Sequence, residues 1–408
     1  MTAPSLIPIS NFQSSNARPP RIALAAGELS GDTLGAALIQ ALRERLPDAR
    51  FYGIAGPKMI AAGCEAWEHA ESLAVMGLFE VIPHLPRLLR LRRMFIERLL
   101  ADPPDVYVGV DAKEFNLSVS KRLKAVGLRT VQYVSPQVWA WRQGRVKKIA
   151  QAVDLILCLL PFEQQFYDER KVNARFVGHP LADQIPLEVD RQAARRALQL
   201  PATGSCVAVL PGSRQGEVSR LSPDFAATIA WLNKSRPQLS FVAPMANATA
   251  RSTFGAALER AGVRDKVLLV DGQAQEALAA SDAVLLASGT ATLETLLVNR
   301  PMVVAYRLGA LTSFLLKELK LMKAPFFSQP NLLAGRGIVP EYFNDDVRAD
   351  VLGPAIVEQL ERSDLAQVRQ TFADIHRTLR RDASRQAAAA IVELLAPLVP
   401  SSASAGEG

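Results

Sequence analysis

Leu210-Pro211-Gly212-Ser213-Arg214 and Ser288-Gly289-Thr290-Ala291-Thr292-Leu293-Glu294 are the two stretches on which the reading of this chain turns. Each closes a short apolar run that reads as a buried parallel strand, residues 206–210 and 283–286, and each leads into a helical pattern. Both are strand-to-helix turns. Such turns collect small residues and free backbone N–H groups at a helix N-terminus, where the partial positive charge stabilises an anionic ligand. A diphosphate fits. Arg214 is the cation at the first turn, and its planar donors match phosphate oxygens better than a lysine's point charge would. Ser213 beside it, and Ser288, Gly289 and Thr290 with Ala291 and Thr292 behind them, offer N–H and hydroxyl donors. Glu294 follows one helical turn later and can accept both hydroxyls of a ribose.

Outward from these turns the same alternation continues. In the second half, apolar runs at 239–243, 267–270 and 302–305 are separated by helical patterns. In the first half, strands are expected at 21–26, 50–53, 106–110, 129–134, 153–159 and 175–177. The polar, proline-containing stretch 184–190 marks a boundary. The expected architecture is α/β, with two doubly wound Rossmann-like domains facing a cleft, 19–183 and 184–370. Helices at 371–399 finish it and cross back to the first domain, between tails at 1–18 and 400–408.

Asp111 ends the strand at 106–110, where open α/β sheets bind their ligands, and is the candidate general base. Capping the next helix is less suitable work for it, because that helix is expected near Asn116. The loop 27–32 carries Glu28 and Asp32, which would repel a diphosphate, and with Ser30 it suits sugar hydroxyls. Residues 135–145 hold Trp139, Trp141 and Arg142, candidates for stacking on a sugar or holding a phosphate, with at least one tryptophan expected in the core. Gln329 and Asn331, in a loop at 325–335, are candidate cleft contacts, and a helix is expected at 308–320.

Residues 73–100 interleave Phe79, Val81, Ile82, Leu85, Leu88 and Leu89 with Arg87, Arg90, Arg92 and Arg93. A regular helix is expected from about Pro86. Apolar residues beside arginines suit an anionic membrane surface, and equally an amphipathic helix whose leucines face the sheet.

Composition bounds the rest. A chain of 408 residues, 49% hydrophobic and 21% charged with net charge +7, suits a two-domain globular protein with an anionic partner. The three cysteines are widely spaced and the four histidines form no ligand pattern, so neither a disulfide framework nor a protein-held metal is expected, and a reducing cytoplasm fits. No run approaches the ~18 apolar residues of a spanning helix. A P-loop and a full dinucleotide fingerprint are both missing.

GELSGD (27–32), VGVDAKEFN (108–116), YVSPQVWAWRQGRV (133–146), LPFE (160–163), FVGHPLAD (176–183), LPGSR (210–214), SGTATLE (288–294) and QPNLLAG (329–335) together closely resemble the lipid-A-disaccharide synthases. The resemblance covers about residues 20–395 in order. It implies an inverting, metal-independent glycosyltransferase of GT-B fold without a cofactor. That family joins UDP-2,3-diacylglucosamine to 2,3-diacylglucosamine 1-phosphate (lipid X), giving the β(1→6) lipid A disaccharide and UDP. By the same resemblance Asp111 is the base, Arg214 the diphosphate contact, Glu294 the ribose ligand, Thr290 and its neighbours phosphate donors, and Gln329 and Asn331 cleft contacts. Ala112-Lys113-Glu114 departs from the small residue and proline that often follow the aspartate in the family, which bears on the shape of that loop. Because both substrates carry acyl chains, the resemblance favours membrane contact at 73–100. Partners would be an anionic inner-membrane surface, reached from the cytoplasm, and a second copy of the chain, but no nucleic acid. The alternatives are another two-domain UDP-sugar enzyme, such as a UDP-N-acetylglucosamine 2-epimerase or the muropeptide-lipid glucosaminyltransferase, or a peripheral protein that only binds nucleotide sugars.

Overall fold

The computed structural model describes residues 18–73, 81–141, 143–308 and 326–396; at 81–84, 140, 141 and 143 it describes the backbone only. Two parallel sheets form, each from buried runs of Val, Leu, Ile and Ala covered on both faces, as parallel sheets require. The first contains β1 (Arg21–Ala26), β2 (Arg50–Ala55), β3 (Cys64–His69), β4 (Val106–Val110), β5 (Arg129–Tyr133), β6 (Leu155–Cys158) and β7 (Ala174–Phe176), in the order β3-β2-β1-β4-β5-β6-β7. The second contains β8 (Cys206–Leu210), β9 (Ser240–Met245), β10 (Val267–Asp271), β11 (Ala283–Ala287), β12 (Met302–Tyr306) and β13 (Glu341–Phe343), in the order β10-β9-β8-β11-β12-β13.

In both sheets the chain winds outward one way, then returns to the starting strand and winds the other. The reversal falls between β1 and β4 in the first sheet and between β8 and β11 in the second. At such a reversal the connecting helices diverge to opposite faces and leave a crevice beyond the strand ends. The structure therefore supplies two crevices, one per sheet.

β3 and β13 went unread in the sequence. β3, Cys-Glu-Ala-Trp-Glu-His, is an edge strand with only Cys64 buried, and β13 has three half-buried residues, so neither carries an apolar run. Three helices also differ. Leu29–Arg45 begins at once after Gly27-Glu28, so most of the expected 27–32 loop is its first turn. Val81–Ala101 begins before Pro86 and carries that proline inside it. Lys113–Lys124 starts two residues after Asp111, ahead of Asn116. The expected helix at 308–320 lies outside the described residues apart from Leu308.

The last helix, Ala383–Leu395, crosses back to the first sheet. Its Ala387, Ala388, Ala390 and Ile391 are buried in the first core, and Arg385 pairs with Glu44 at 2.9 Å. The segment 176–183 clamps the crossing: the Asp183 carboxylate accepts from the N–H groups of Asp382 (2.8 Å) and Ala383 (2.7 Å), and His179 N–H donates to Leu379 O (2.8 Å). Gly178 sits at φ +93, where a Cβ would meet Leu379 O at 2.8 Å, so only glycine fits this close approach. Burial lowers the His179 pKa to about 4, which keeps the imidazole neutral while its Nδ1 accepts from Leu181 N–H.

Candidate active site

At the reversal of the second sheet lies a cavity of about 230 Å³. The turn after β8 contributes Gly212 and Ser213, and the turn after β11 contributes Ser288, Gly289 and Thr290. Thr290 opens the helix Thr290–Leu297, whose first N–H groups have no partner within the helix. The backbone at Gly289 is extended, and a Cβ added there would meet open space.

Glu294 lines the same cavity, half-buried and with no hydrogen-bond partner among the described residues; desolvation raises its pKa. Arg214 is the N-cap residue of Gln215–Ser235, exposed beside the cavity rather than in its wall. Thr292 is buried and donates its hydroxyl to Gly289 O at 2.7 Å, which fixes the turn and leaves that hydroxyl committed.

Several lining residues were not anticipated. Pro244, Met245 and Ala246 at the end of β9, and Gly272 and Ala274 beyond β10, close the far side. Their apolar sequence gives no hint of a ligand; only the strand order brings them there. Glu217 also lines the cavity, with its pKa raised by desolvation and opposed by the Ser213 N–H and the arginines at 214 and 220. An added Cβ on Gly212 (φ +116) would overlap the Glu217 carboxylate, so this turn closes only around a glycine.

The reversal of the first sheet carries Asp111. Its side chain is 30% exposed, with Lys113 Nζ 3.8 Å from Oδ1. The backbone here is unusual: Asp111 (φ +52) and Ala112 (φ +35) are left-handed, and across the adjacent strand end so is Val134 (φ +74). For non-glycine residues this costs on the order of 1–3 kcal/mol each, most for a β-branched side chain, and is held by surrounding structure. Beside it, a cavity of about 90 Å³ is lined by Gly27, Glu28, Leu29, Asp32, Gly56, Pro57, His69, Ala70 and Glu71. Glu28 and Ser30 are exposed, and Leu29 is 79% exposed.

The sequence model of the family described as Lipid-A-disaccharide synthetase matches residues 22–394. A lipid-A-disaccharide synthase of Alkalilimnicola ehrlichii is 53% identical over 375 residues, covering 91% of this chain and 98% of that protein. One from Pectobacterium carotovorum is 49% identical, covering 94% and 100%. The chain belongs to the lipid-A-disaccharide synthase family. It is a glycosyltransferase of lipid A biosynthesis and uses a UDP-sugar and lipid substrates. Two solved structures share the fold at low identity: the glycotransferase of kitacinnamycin (TM-score 0.63, 18% identical, covering 93% of this chain and 100% of that one) and a UDP-GlcNAc 2-epimerase from Neisseria meningitidis (TM-score 0.61, 12% identical, covering 92% and 99%).

Within this lipid-A-disaccharide synthase family member, other expected contacts turn out to be occupied. Asp32 is 2% exposed, and its two oxygens accept from the N–H groups of Lys58 and Met59, both at 2.9 Å. It caps the helix Pro57–Ala61, so its expected role as a free sugar contact is corrected. Asn331 is 1% exposed in the helix Gln329–Ala334, which replaces the loop expected there. Its amide accepts from Ile338 and Val339 N–H (2.7 and 3.0 Å) and donates to Val339 O (2.9 Å) and Glu341 (2.7 Å). All its capacity is spent on folding residues 326–343, so a direct ligand contact is corrected as well. That segment is tied to the cavity, since the Ser288 hydroxyl donates to Phe327 O at 3.2 Å. Gln329 differs: its Oε1 is buried without a hydrogen-bond partner among the described residues.

Trp139 packs edge-on to Phe162, and its Nε1 donates to Glu163, which is fully buried and also accepts from Ser135 Oγ (2.9 Å). Burial raises the Glu163 pKa against these hydrogen bonds. Trp139, half-buried, is thus engaged in the fold through Phe162 and Glu163. The Trp141 side chain and Arg142 lie outside the described residues, as do Phe79 and the side chains of Val81 and Ile82.

The helix Val81–Ala101 divides lengthwise. Phe95 and Leu99 are buried against Tyr107 and Trp67, whereas Leu85 (46%), Leu89 (43%) and Met94 (59%) are exposed among Arg87, Arg90 and Arg93; Leu88 is half-buried. The side chains buried against the sheet among the described residues lie in its second half. No helix of the described residues is long and apolar enough to cross a membrane.

Proposed function

We propose that this chain transfers 2,3-diacylglucosamine from its UDP ester to the 6-hydroxyl of 2,3-diacylglucosamine 1-phosphate. Asp111 takes the proton of that hydroxyl as its oxygen bonds to the donor anomeric carbon. The bond from that carbon to the β-phosphate oxygen breaks with inversion, and the electron pair leaves on UDP. Arg214 and the N–H groups of Gly289 and Thr290 stabilise the departing diphosphate, and the Ser213 and Ser288 turns shape its seat. Glu294 accepts the ribose hydroxyls, and the Gln329 Oε1, without a hydrogen-bond partner among the described residues, supplies an acceptor for a hydroxyl or N–H of the donor.

The observation that carries this reading is the cavity at the second sheet's reversal, where a helix N-terminus converges with a carboxylate that has no hydrogen-bond partner among the described residues. Anion donors and a ribose acceptor in one pocket match a nucleoside diphosphate. Glu28 and Ser30 then belong to the acceptor side, beside Asp111.

Leu85 and Leu89 with Arg87, Arg90 and Arg93 form the contact with an anionic inner-membrane surface on its cytoplasmic side, from which both acylated substrates are drawn. The test is an assay of disaccharide formation from the two lipids by Asp111→Asn protein. Retained UDP binding with almost no product is expected. Turnover close to the parent's would remove Asp111 as the base.

A further inference from the structure

The left-handed turn at Asp111 does not hold itself. Two amide side chains, both fully buried, converge on its carbonyl. Asn116 Nδ2 donates to Asp111 O at 2.9 Å, to Ala25 O at the end of β1 at 3.1 Å, and lies 3.4 Å from Val110 O. Gln132 Nε2 donates to Asp111 O at 3.1 Å and approaches Tyr133 O and Val134 O at 3.3 and 3.4 Å. One amide thus ties β1 to β4 and the other ties β4 to β5, with the Asp111 carbonyl as the shared acceptor.

The Asn116 amide is itself held in place, whereas Gln132 Oε1 is buried without a hydrogen-bond partner among the described residues. Tyr107, buried in β4, donates its hydroxyl to Asn116 Oδ1 at 2.7 Å and so fixes which end of the amide faces the turn. A Cβ at Gly109 would lie 2.5 Å from that of Asn116, so the glycine is the space the amide occupies. On the other side, an added Cβ on Gly27 would come 2.8 Å from the Ala112 methyl, which therefore rests against the β1 turn. Asn116, Gln132 and Tyr107 are fully buried, away from any crevice surface. They all bear on the backbone of the residue assigned as base.

We infer that Asn116 and Gln132 are positioning residues, which hold Asp111 and Ala112 in the left-handed conformation and so fix where the Asp111 carboxylate stands relative to the acceptor hydroxyl. The inference rests on Asp111 being the base. A right-handed or extended residue 111 would swing the side chain about its Cα, and misplacements of about 1 Å cost on the order of 100-fold in rate.

The experiment uses full-length Asn116→Ser and Gln132→Met proteins, each alone and combined with Asp111→Asn. Turnover is expressed per UDP-binding site counted by calorimetric titration, so that misfolded protein does not enter the rate. The expected result is a loss of about 10- to 100-fold in kcat, with KM for both lipids within about threefold of the parent. In the Asp111→Asn background the same substitutions should give no further loss, because residues that act through one group are not additive. A kcat per site within twofold of the parent would overturn the inference, and so would an equal loss in both backgrounds, the mark of a merely structural role.

If the amide variants do not fold, Ala112→Val, whose β-branched side chain disfavours a left-handed backbone, biases residue 112 out of the turn without stranding a polar group. It should lose threefold or more in kcat, again only when Asp111 is present, and undiminished kcat would overturn the inference. Full turnover by Asp111→Asn alone gives a different signature, which would remove the base itself.

Discussion

Glu294→Gln separates binding from folding at the nucleotide cavity. The carboxylate is half-buried, lacks a hydrogen-bond partner among the described residues and has its pKa raised by desolvation, so in the unliganded protein its charge is a cost. A raised folded-state pKa means that the native chain holds a proton longer than the unfolded chain as pH rises. Stability is therefore lost as pH climbs from the ordinary glutamate pKa to the raised one, and the deficit persists above it. Glutamine never carries that charge. At neutral pH the variant should melt at the same temperature as the parent or higher, and the gap should close in acid.

Binding should move the other way. Hydrogen bonds to a charged acceptor contribute about 1.5–3 kcal/mol and neutral ones about 0.5–1.5, a difference of about 1 kcal/mol per bond. Two ribose hydroxyls make this about 2 kcal/mol, or roughly 30-fold weaker binding of UDP. Calorimetric titration with UDP and 2′-deoxy-UDP reads it directly. The parent should lose UDP affinity as pH falls through the raised Glu294 pKa, whereas the variant should be flat, and the penalty for the missing 2′-hydroxyl should shrink in the variant. Unchanged UDP affinity, or affinity and melting temperature falling together, would refute the assignment.

Arg214→Lys keeps the charge but loses the two-pronged donor set, and should lower kcat/KM about 10- to 30-fold; equal activity would mean that a point charge suffices there. Gly212→Ala forces an alanine into φ +116 against the Glu217 carboxylate, and should destabilise the chain by about 1–3 kcal/mol while weakening UDP binding, as read by melting and titration. Leu85→Ser with Leu89→Ser removes two side chains that are 46% and 43% exposed. At about 1 kcal/mol each of bilayer contact, partitioning onto anionic vesicles should weaken roughly 30-fold with the melting temperature unchanged. A drop in melting temperature would return those leucines to the core.

Residue type at and just beyond the strand ends pointed to Asp111, Gly289 and Glu294, and the structure sets the first at the reversal of the first sheet and the other two in the wall of the second sheet's cavity. The same signal misled at Asp32 and Asn331. A buried polar side chain among small residues looks alike whether its partner is a ligand or its own backbone, and here Lys58, Met59, Ile338 and Val339 supply the partners. Glu217 passed unnoticed because an acid three residues into a helix reads as ordinary capping. The departure at Ala112-Lys113-Glu114 raised a question of loop shape that only φ could answer: the turn is left-handed without a glycine or a proline.

By itself the sequence determined the alternation of buried strands and helices, the two glycine-bearing turns and the carboxylate at the end of β4, since each depends on periodicity and local turn chemistry. Strand order was decided only by the tertiary structure. Which strands neighbour one another is set by long-range packing of faces that look alike in sequence, and it alone puts the crevices between β1 and β4 and between β8 and β11. The same packing brings Met245 and Gly272 to the cavity, returns Ala383–Leu395 to the first sheet, and sets two buried amides around the carbonyl of Asp111.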